Sequence, residues 1–110
     1  MNIKEFKPGQ EAYIVNLHTG SPSIYKTKVI KVGQVYVTTN HYNKRYRSSS
    51  IPYGLIEQAN WGETTYLCPD KERALMYVEH EELRLWLYKA AEYKNKYTLD
   101  QLRQVKEILG

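Results

Sequence analysis

Cysteine and long apolar runs are scarce in this chain. Its 110 residues include one cysteine, Cys68, so no disulfide can form within the chain. The apolar runs fall far short of the roughly 20 residues that cross a bilayer, and the N-terminus lacks the basic and apolar regions of a secretory signal. The sequence therefore predicts a cytoplasmic protein, without disulfides or a membrane span, that folds as one domain.

Carboxylates are absent from Ala12 to Ile56. This stretch nevertheless holds six basic residues and six tyrosines. The basic residues are Lys26, Lys28, Lys31, Lys44, Arg45 and Arg47, and the tyrosines are Tyr13, Tyr25, Tyr36, Tyr42, Tyr46 and Tyr53. Unopposed cations attract phosphate and tyrosine rings offer flat faces with a polar end, so the composition is typical of a surface that binds a polyanion or a protein.

The net charge of +4 is distributed unevenly. Residues 1 to 60 contain eight Lys/Arg and three Asp/Glu, which gives +5, whereas residues 61 to 110 contain eight and nine, which gives −1. The basic character therefore belongs to the first half of the chain.

The first half has the alternation and turn residues of short strands. Ala12 to Leu17 lies between Pro8-Gly9 and the turn residues 19 to 23, and Thr64 to Leu67 is a further strand. In the segment Ile24 to Thr39, Gly33-Gln34 predicts a two-residue hairpin turn. That register places four residues in the core and four on the opposite face. The core residues would be Ile30, Val32, Val35 and Val37, and the opposite face would hold Val29, Lys31, Tyr36 and Thr38.

The segment Lys44 to Ile51 has no apolar face, and its charges are typical of an edge strand. Leu55 and Ile56 are expected to re-enter the core. About five short strands in fewer than 70 residues predict a small antiparallel barrel over residues 1–68.

The second half has helical periodicity. We predict a helix from about Pro69 to Tyr93, with Leu83, Trp86 and Leu87 on the face that seals the core. A second helix begins at Thr98, where Gln101 completes a capping box. The predicted fold class is α+β: a single domain, 1–110, in which a helical hairpin, 69–110, packs on the barrel.

Two segments resemble known small barrels. The runs Lys7 to Val15 and Val29 to Val37 look like the opening strands of SH3-like barrels such as the KOW-type RNA- or protein-binding modules. Over its full length the chain is similar to short uncharacterised proteins of bacteriophages and mobile elements of Gram-positive bacteria. The resemblance implies a phage or mobile-element origin and an SH3-like N-terminal part.

Residues with chemistry for a binding surface are concentrated in the central strands. The candidate contact residues for nucleic acid or another partner are Tyr25, Lys31, Tyr36, Lys44, Arg45, Tyr46 and Arg47. Rings there would stack on bases while cations track phosphates. The alternative is a protein-binding regulator, such as a phage-encoded inhibitor of a host protein, that uses the same tyrosines or the loop at Trp61. A third interpretation is that these residues serve only strand packing and edge protection.

No pattern of a catalytic or metal site is complete. In the helical run from His80 to Arg84, arginine stands where a zinc protease needs its second histidine. Cys68 lacks a recognisable histidine partner, and no glycine-rich phosphate loop occurs. The sequence therefore predicts a binding module without catalytic residues, metal or cofactor.

Overall fold

The computed structural model describes residues 1–17, 22–59, 64–92 and 96–110. The chain divides into two compact units. We call Met1–His80 the barrel unit and Glu81–Gly110 the helical unit. The boundary falls within the long helix α1, Lys71–Glu92, and the second helix, α2, covers Leu99–Leu109.

Six antiparallel strands form the barrel. They are β1 Glu11–Asn16, β2 Ser23–Val32, β3 Tyr36–Thr39, β4 Arg45–Arg47, β5 Leu55–Glu57 and β6 Thr65–Cys68. Each strand pairs with the next along the chain, and β6 pairs with β1, which closes the barrel. The predicted α+β class, a small antiparallel barrel followed by two helices, is therefore confirmed, with β5 as a sixth strand.

The barrel interior is filled by alternate residues of the strands and by a short 3₁₀ helix, Ile3–Glu5. Its buried side chains form one apolar cluster. The members are Ile3, Phe6, Ala12, Ile14, Val29, Val37, Tyr46, Leu55 and Leu67. Closing the sheet gives every strand an inner face, so even the three-residue β4 contributes a core side chain.

A second apolar cluster lies outside the barrel wall, where the start of α1 packs. Val15 and Cys68 from the wall meet Ala74 and Tyr77 of the helix. The ring of Tyr77 makes an edge contact with Tyr66, with 5.0 Å between ring centroids. Such aromatic contacts add to the burial that holds this part of α1 on the barrel.

The β2–β3 turn differs from the predicted hairpin. Val32 pairs with Val37, and the Gly33 amide donates to the Tyr36 carbonyl oxygen at 2.8 Å, so Gln34 and Val35 form the turn. The predicted register, with Val32 opposite Val35, is wrong because the turn lies one residue further along the chain. Val35 is consequently exposed rather than in the core.

A β-bulge at Ile30 changes which residues of β2 face the core. Val29 pairs with Thr39 and Lys31 pairs with Thr38, so Ile30 has no partner on β3. The predicted core position of Ile30 is wrong, because this side chain is 48% exposed, and Val29, predicted on the opposite face, is fully buried. The extra residue reverses the alternation of side chains on either side of it.

The sequence predicted that β4 is an edge strand. This prediction is wrong, because β4 pairs with both β3 and β5. Its central residue, Tyr46, points inward and is fully buried. The apolar face that the sequence did not show is supplied by this tyrosine.

The two helices have well-defined starts. The Asp70 carboxylate accepts the Arg73 amide at 2.8 Å, so α1 is capped by Asp70, and Pro69 precedes the cap. The predicted capping box is confirmed, because Thr98 and Gln101 bond reciprocally at the start of α2. The predicted core role of Trp86 is wrong: its side chain is 65% exposed, as Leu83 and Leu87 also are in large part.

Candidate nucleic-acid interface

Five cations occupy the outer side of three adjacent strands, and we call this surface the basic face. Its members are Lys26, Lys28, Lys31, Arg45 and Arg47, all exposed. Lys26 and Lys28 alternate with the buried Thr27 and Val29. Lys31 would point inward in a regular strand, and the bulge at Ile30 brings it to the same side as the other two lysines.

The centre of the basic face is a row of side chains across β2, β3 and β4. Thr38 pairs with Lys31 on one side and with Arg45 on the other. The guanidinium carbon of Arg45 lies 4.7 Å from the ring centroid of Tyr36, which is a cation–π contact. A guanidinium held flat on a ring loses less freedom when it binds phosphate.

An open groove of about 370 Å³ runs along this row. It is lined by Lys31, Gly33, Gln34, Val35, Tyr36, Thr38 and Arg45. The groove therefore combines two cations, one aromatic ring and one hydroxyl. Those are the groups that bind a phosphate beside a base or sugar.

A second groove, of about 390 Å³, lies on the other side of the β2–β3 turn. Lys4 and Arg47 supply its cations, and Asn2 and Ser48 supply polar side chains. Both grooves share Gln34 and Val35, so the turn separates two cationic depressions. Arg47 is also the cross-strand neighbour of Tyr36, which connects the two depressions across β3 and β4.

Most cations of the basic face form no ion pair. Among the residues that the structure describes, Lys28, Lys31, Arg45 and Arg47 take part in no ion pair. Lys26 lies 3.8 Å from Glu11, and both side chains are about 60% exposed. A pair so open to water contributes little and leaves the lysine accessible.

Lys44 is different, because its ammonium lies 3.1 Å from the Glu57 carboxylate, which is only 8% exposed. The Thr65 amide and hydroxyl donate to the other oxygen of Glu57 at 2.9 and 3.1 Å. Burial by itself raises the pKa of Glu57, but the bonds from Thr65 and Lys44 outweigh it and hold the pKa below its usual value. Lys44 therefore serves the fold, and its charge is neutralised.

The same network reaches Tyr46. Its hydroxyl lies 2.9 Å from the Thr65 hydroxyl. Because the single proton of Thr65 goes to Glu57, the Tyr46 hydroxyl is the donor in this bond. Burial is the main cause that raises the pKa of Tyr46 above its ordinary value, so the phenol keeps its proton.

Tyr25 lies at one end of the barrel rather than on the basic face. It packs against the inner cluster, and its ring centroid is 4.9 Å from that of His41. His41 in turn meets Tyr42 edge-on at 4.6 Å. These three rings form a row that ends in Tyr42, whose side chain is 84% exposed.

The backbone that carries Tyr42 is in an unusual conformation. Tyr42 and Asn43 have φ angles of +54° and +52°, and the Lys44 amide donates to the His41 carbonyl oxygen at 3.1 Å. This is a type I′ turn, in which asparagine and glycine are favoured and a tyrosine is strained. A strained, exposed aromatic residue is a feature that recurs at binding sites.

The structure thus divides the predicted contact residues into groups. Lys31, Tyr36 and Arg45 meet in one groove, and Arg47 lies in the next. Tyr25 lies in the ring row with His41 and Tyr42. The predicted contact at Tyr46 is wrong because this side chain is fully buried, whereas Lys44 is paired with Glu57 and its contact with a partner stays a prediction. Lys26 and Lys28 were not among the residues predicted from the sequence, although their spacing of two on a strand places them on one face.

Histidine, cysteine and carboxylate side chains are the groups that could support metal binding or catalysis. Within the described ranges, no group of three or more such side chains is arranged to hold a metal ion. Burial, followed by the nearby Asp70 carboxylate, raises the pKa of Cys68 to about 12. The thiol is fully buried and therefore remains protonated at neutral pH.

The chain matches a family model. The family model described as "Phage ProQ C-terminal-like domain" matches residues 1–110. No curated protein matches the chain, and no solved structure does. In the part of the chain that the structure describes, neither helix has the length and apolar character to span a membrane.

Proposed function

Since the chain belongs to the family of phage ProQ C-terminal-like domains over its whole length, we propose that it is a non-catalytic module whose basic face binds nucleic acid. The family supports a phage-related binding domain with a small barrel, and a ProQ-like domain is compatible with an RNA ligand. The Gram-positive origin that the sequence resemblance implied stays a prediction.

One observation carries the proposal. The bulge at Ile30 turns Lys31 outward, so that five cations lie on one side of three neighbouring strands. Four of them have no ion-pair partner among the described residues, and the fifth has only a solvent-exposed one. Strand packing explains alternating polar residues, but it does not require that they all carry the same charge.

The dimensions of the surface fit a polymer of phosphates. Neighbouring strands lie about 4.8 Å apart, so the row from Lys31 to Arg45 covers about 10 Å across two strand spacings. Successive phosphates of an extended single strand are separated by a few ångströms, so one strand can contact several cations at once. The Tyr36 ring lies in the same groove, and the face that Arg45 does not cover offers a stacking surface for a base.

The test is the salt dependence of binding. The variant with Lys31→Ala, Arg45→Ala and Arg47→Ala removes three unpaired cations, and its matched control, with Lys89→Ala, Arg103→Ala and Lys106→Ala, removes three from the helical unit. Fluorescence anisotropy with labelled single-stranded RNA and DNA would follow binding as salt rises. Each lost phosphate contact lowers the log–log slope by roughly 0.7 to 0.9, so the first variant should flatten it by about 2 to 3.

The control should keep the slope of the unmodified chain. No binding at about 50 mM salt, or equal slopes in the two variants, would defeat the proposal. The basic face would then be assigned to a protein partner, as in the regulator interpretation. The loop at Trp61, which that interpretation also invoked, lies outside the described residues.

A further inference from the structure

A third open groove lies within the helical unit, and it is apolar. Its volume is about 500 Å³. It is lined by Trp86, Leu87, Ala90 and Ala91 of α1 and by Tyr97, Leu102, Val105 and Leu109. All eight residues belong to the helical unit, so the groove is a property of that unit alone.

The unit exposes many large apolar side chains. Eleven of its large apolar side chains are each more than a third exposed, and none of the residues of α2 is buried. The largest apolar patch of a typical monomer covers roughly 300 to 600 Å². An isolated helix of eleven residues is also marginal in water, so α2 requires a cover for its apolar side.

We propose that the cover is a second copy of this chain, and that two helical units pair through their grooves about a twofold axis. A stable interface buries about 800 Å² on each partner. Six of the eleven exposed side chains line the groove, and Leu83 and Leu99 extend it at helical spacing, so the groove side supplies an area on that order. The same patch on both copies then becomes buried, as twofold symmetry requires.

Charge favours a copy of the chain over a strongly charged partner. The described residues of the helical unit hold five acidic and five basic side chains. Two copies therefore meet without net repulsion, and the surface has no excess charge to select a polyanion or a polycation. The acidic first turn of α2, at Asp100, also opposes the basic last turn, at Lys106, when two such helices pair antiparallel.

The proposal is tested by sedimentation velocity of the full chain between about 5 and 200 µM, a range that brackets a Kd near 10 µM. The unmodified chain should pass from monomer to dimer as its concentration rises. Leu102→Glu places a charge in the groove and should weaken the dimer by about tenfold or more. The matched control is Leu75→Glu, on the barrel-unit part of α1, where the side chain is 52% exposed outside the groove; it should leave the dimer unchanged.

Far-UV circular dichroism shows whether each variant keeps its helices. If Leu102→Glu unfolds α2, the milder Val105→Thr provides the comparison, because it adds a hydroxyl to the groove with little change of volume. A chain that is monomeric throughout, a mass that grows beyond the dimer, or equal weakening by Leu75→Glu would each overturn the proposal. A monomer would indicate that another segment or protein covers the groove.

Discussion

The barrel unit and the helical unit treat apolar and charged residues in opposite ways. In the described residues of the barrel unit most large apolar side chains are buried or half-buried and five are exposed, and the unit carries ten basic and six acidic side chains. In the helical unit the charges balance and eleven large apolar side chains are exposed. The first pattern suits a stable domain that attracts anions, whereas the second suits a surface that associates through apolar contact.

The largest expected difference in stability is between a Leu→Ala substitution in the barrel unit and one in the helical unit. Leu67→Ala removes a fully buried side chain from the barrel and should lower the free energy of unfolding by about 2–5 kcal/mol. Leu99→Ala, at a residue 64% exposed, should change it by about 0.5 kcal/mol or less in dilute solution. Urea unfolding measures both, and equal costs would mean that the helices are packed as tightly as the barrel.

The density of the barrel wall is tested at Gly54. A Cβ there would lie 2.7 Å from the Leu67 carbonyl oxygen and 3.1 Å from the Cys68 sulfur. Because the backbone oxygen cannot move aside cheaply, Gly54→Ala should cost about 1–3 kcal/mol. At Gly33 the nearest atom to such a Cβ is the Tyr36 carbonyl oxygen at 3.3 Å and φ lies outside the left-handed region, so the same change there should cost less. Thermal unfolding of the two variants should differ accordingly, and similar melting temperatures would contradict this packing.

The buried polar network of the barrel gives a dependence on pH. Folding lowers the pKa of Glu57, so its carboxylate stabilises the fold above the unfolded pKa of about 4.3, and this stabilisation is lost as pH falls through the lower, folded pKa. Glu57→Gln should therefore cost about 1–2 kcal/mol at neutral pH and progressively less in acid. Urea titrations at pH 7 and at about pH 3 make the comparison. A cost that is the same at both values would show that the charge of Glu57 is not what matters.

The smallest expected effect on stability is at Tyr42, the exposed end of the ring row. Tyr42→Asn puts a residue that tolerates positive φ into the strained turn, so stability should be unchanged or rise by up to about 1 kcal/mol. If Tyr42 stacks on a base, affinity for single-stranded RNA should still fall by about tenfold. Anisotropy and thermal unfolding of the same variant separate the two effects. Unchanged affinity would limit the interface to the basic face.

Local patterns predicted most of the fold, because strand alternation, turn residues and the capping box at Thr98 act over a few residues. The predictions fail for residues whose surroundings depend on contacts between segments that are distant in sequence. β4 has a side that faces the core because the sheet closes into a barrel. This closure makes Tyr46 a core residue, although its neighbours in sequence are both arginines. The ion pair of Lys44 also joins residues that are distant in sequence: Glu57 is thirteen residues away along the chain, and its carboxylate lies 3.1 Å from the Lys44 ammonium.

The candidate site shows the same division. The run without carboxylates pointed to the strands that form the basic face, and Lys31, Tyr36, Arg45 and Arg47 line its grooves. The positive φ at Tyr42 left no signal in the sequence beyond the neighbouring Asn43. The exposure of Trp86 also could not be read from helical periodicity, because an apolar stripe looks the same whether its own chain or another copy covers it.

The bulge at Ile30 has a consequence for comparing relatives of this chain. Deletion of that one residue would join Val29 directly to Lys31, so regular alternation would keep Lys26, Lys28 and Lys31 on the outer side. A relative that keeps residue 30 but pairs β2 without the bulge would instead turn either Lys31 or the pair Lys26 and Lys28 toward the barrel interior. Two family members with equal net charge can therefore present different surface potentials. In an alignment, a gap opposite residue 30 would therefore mark a relative that keeps its cations on the outer side without a bulge.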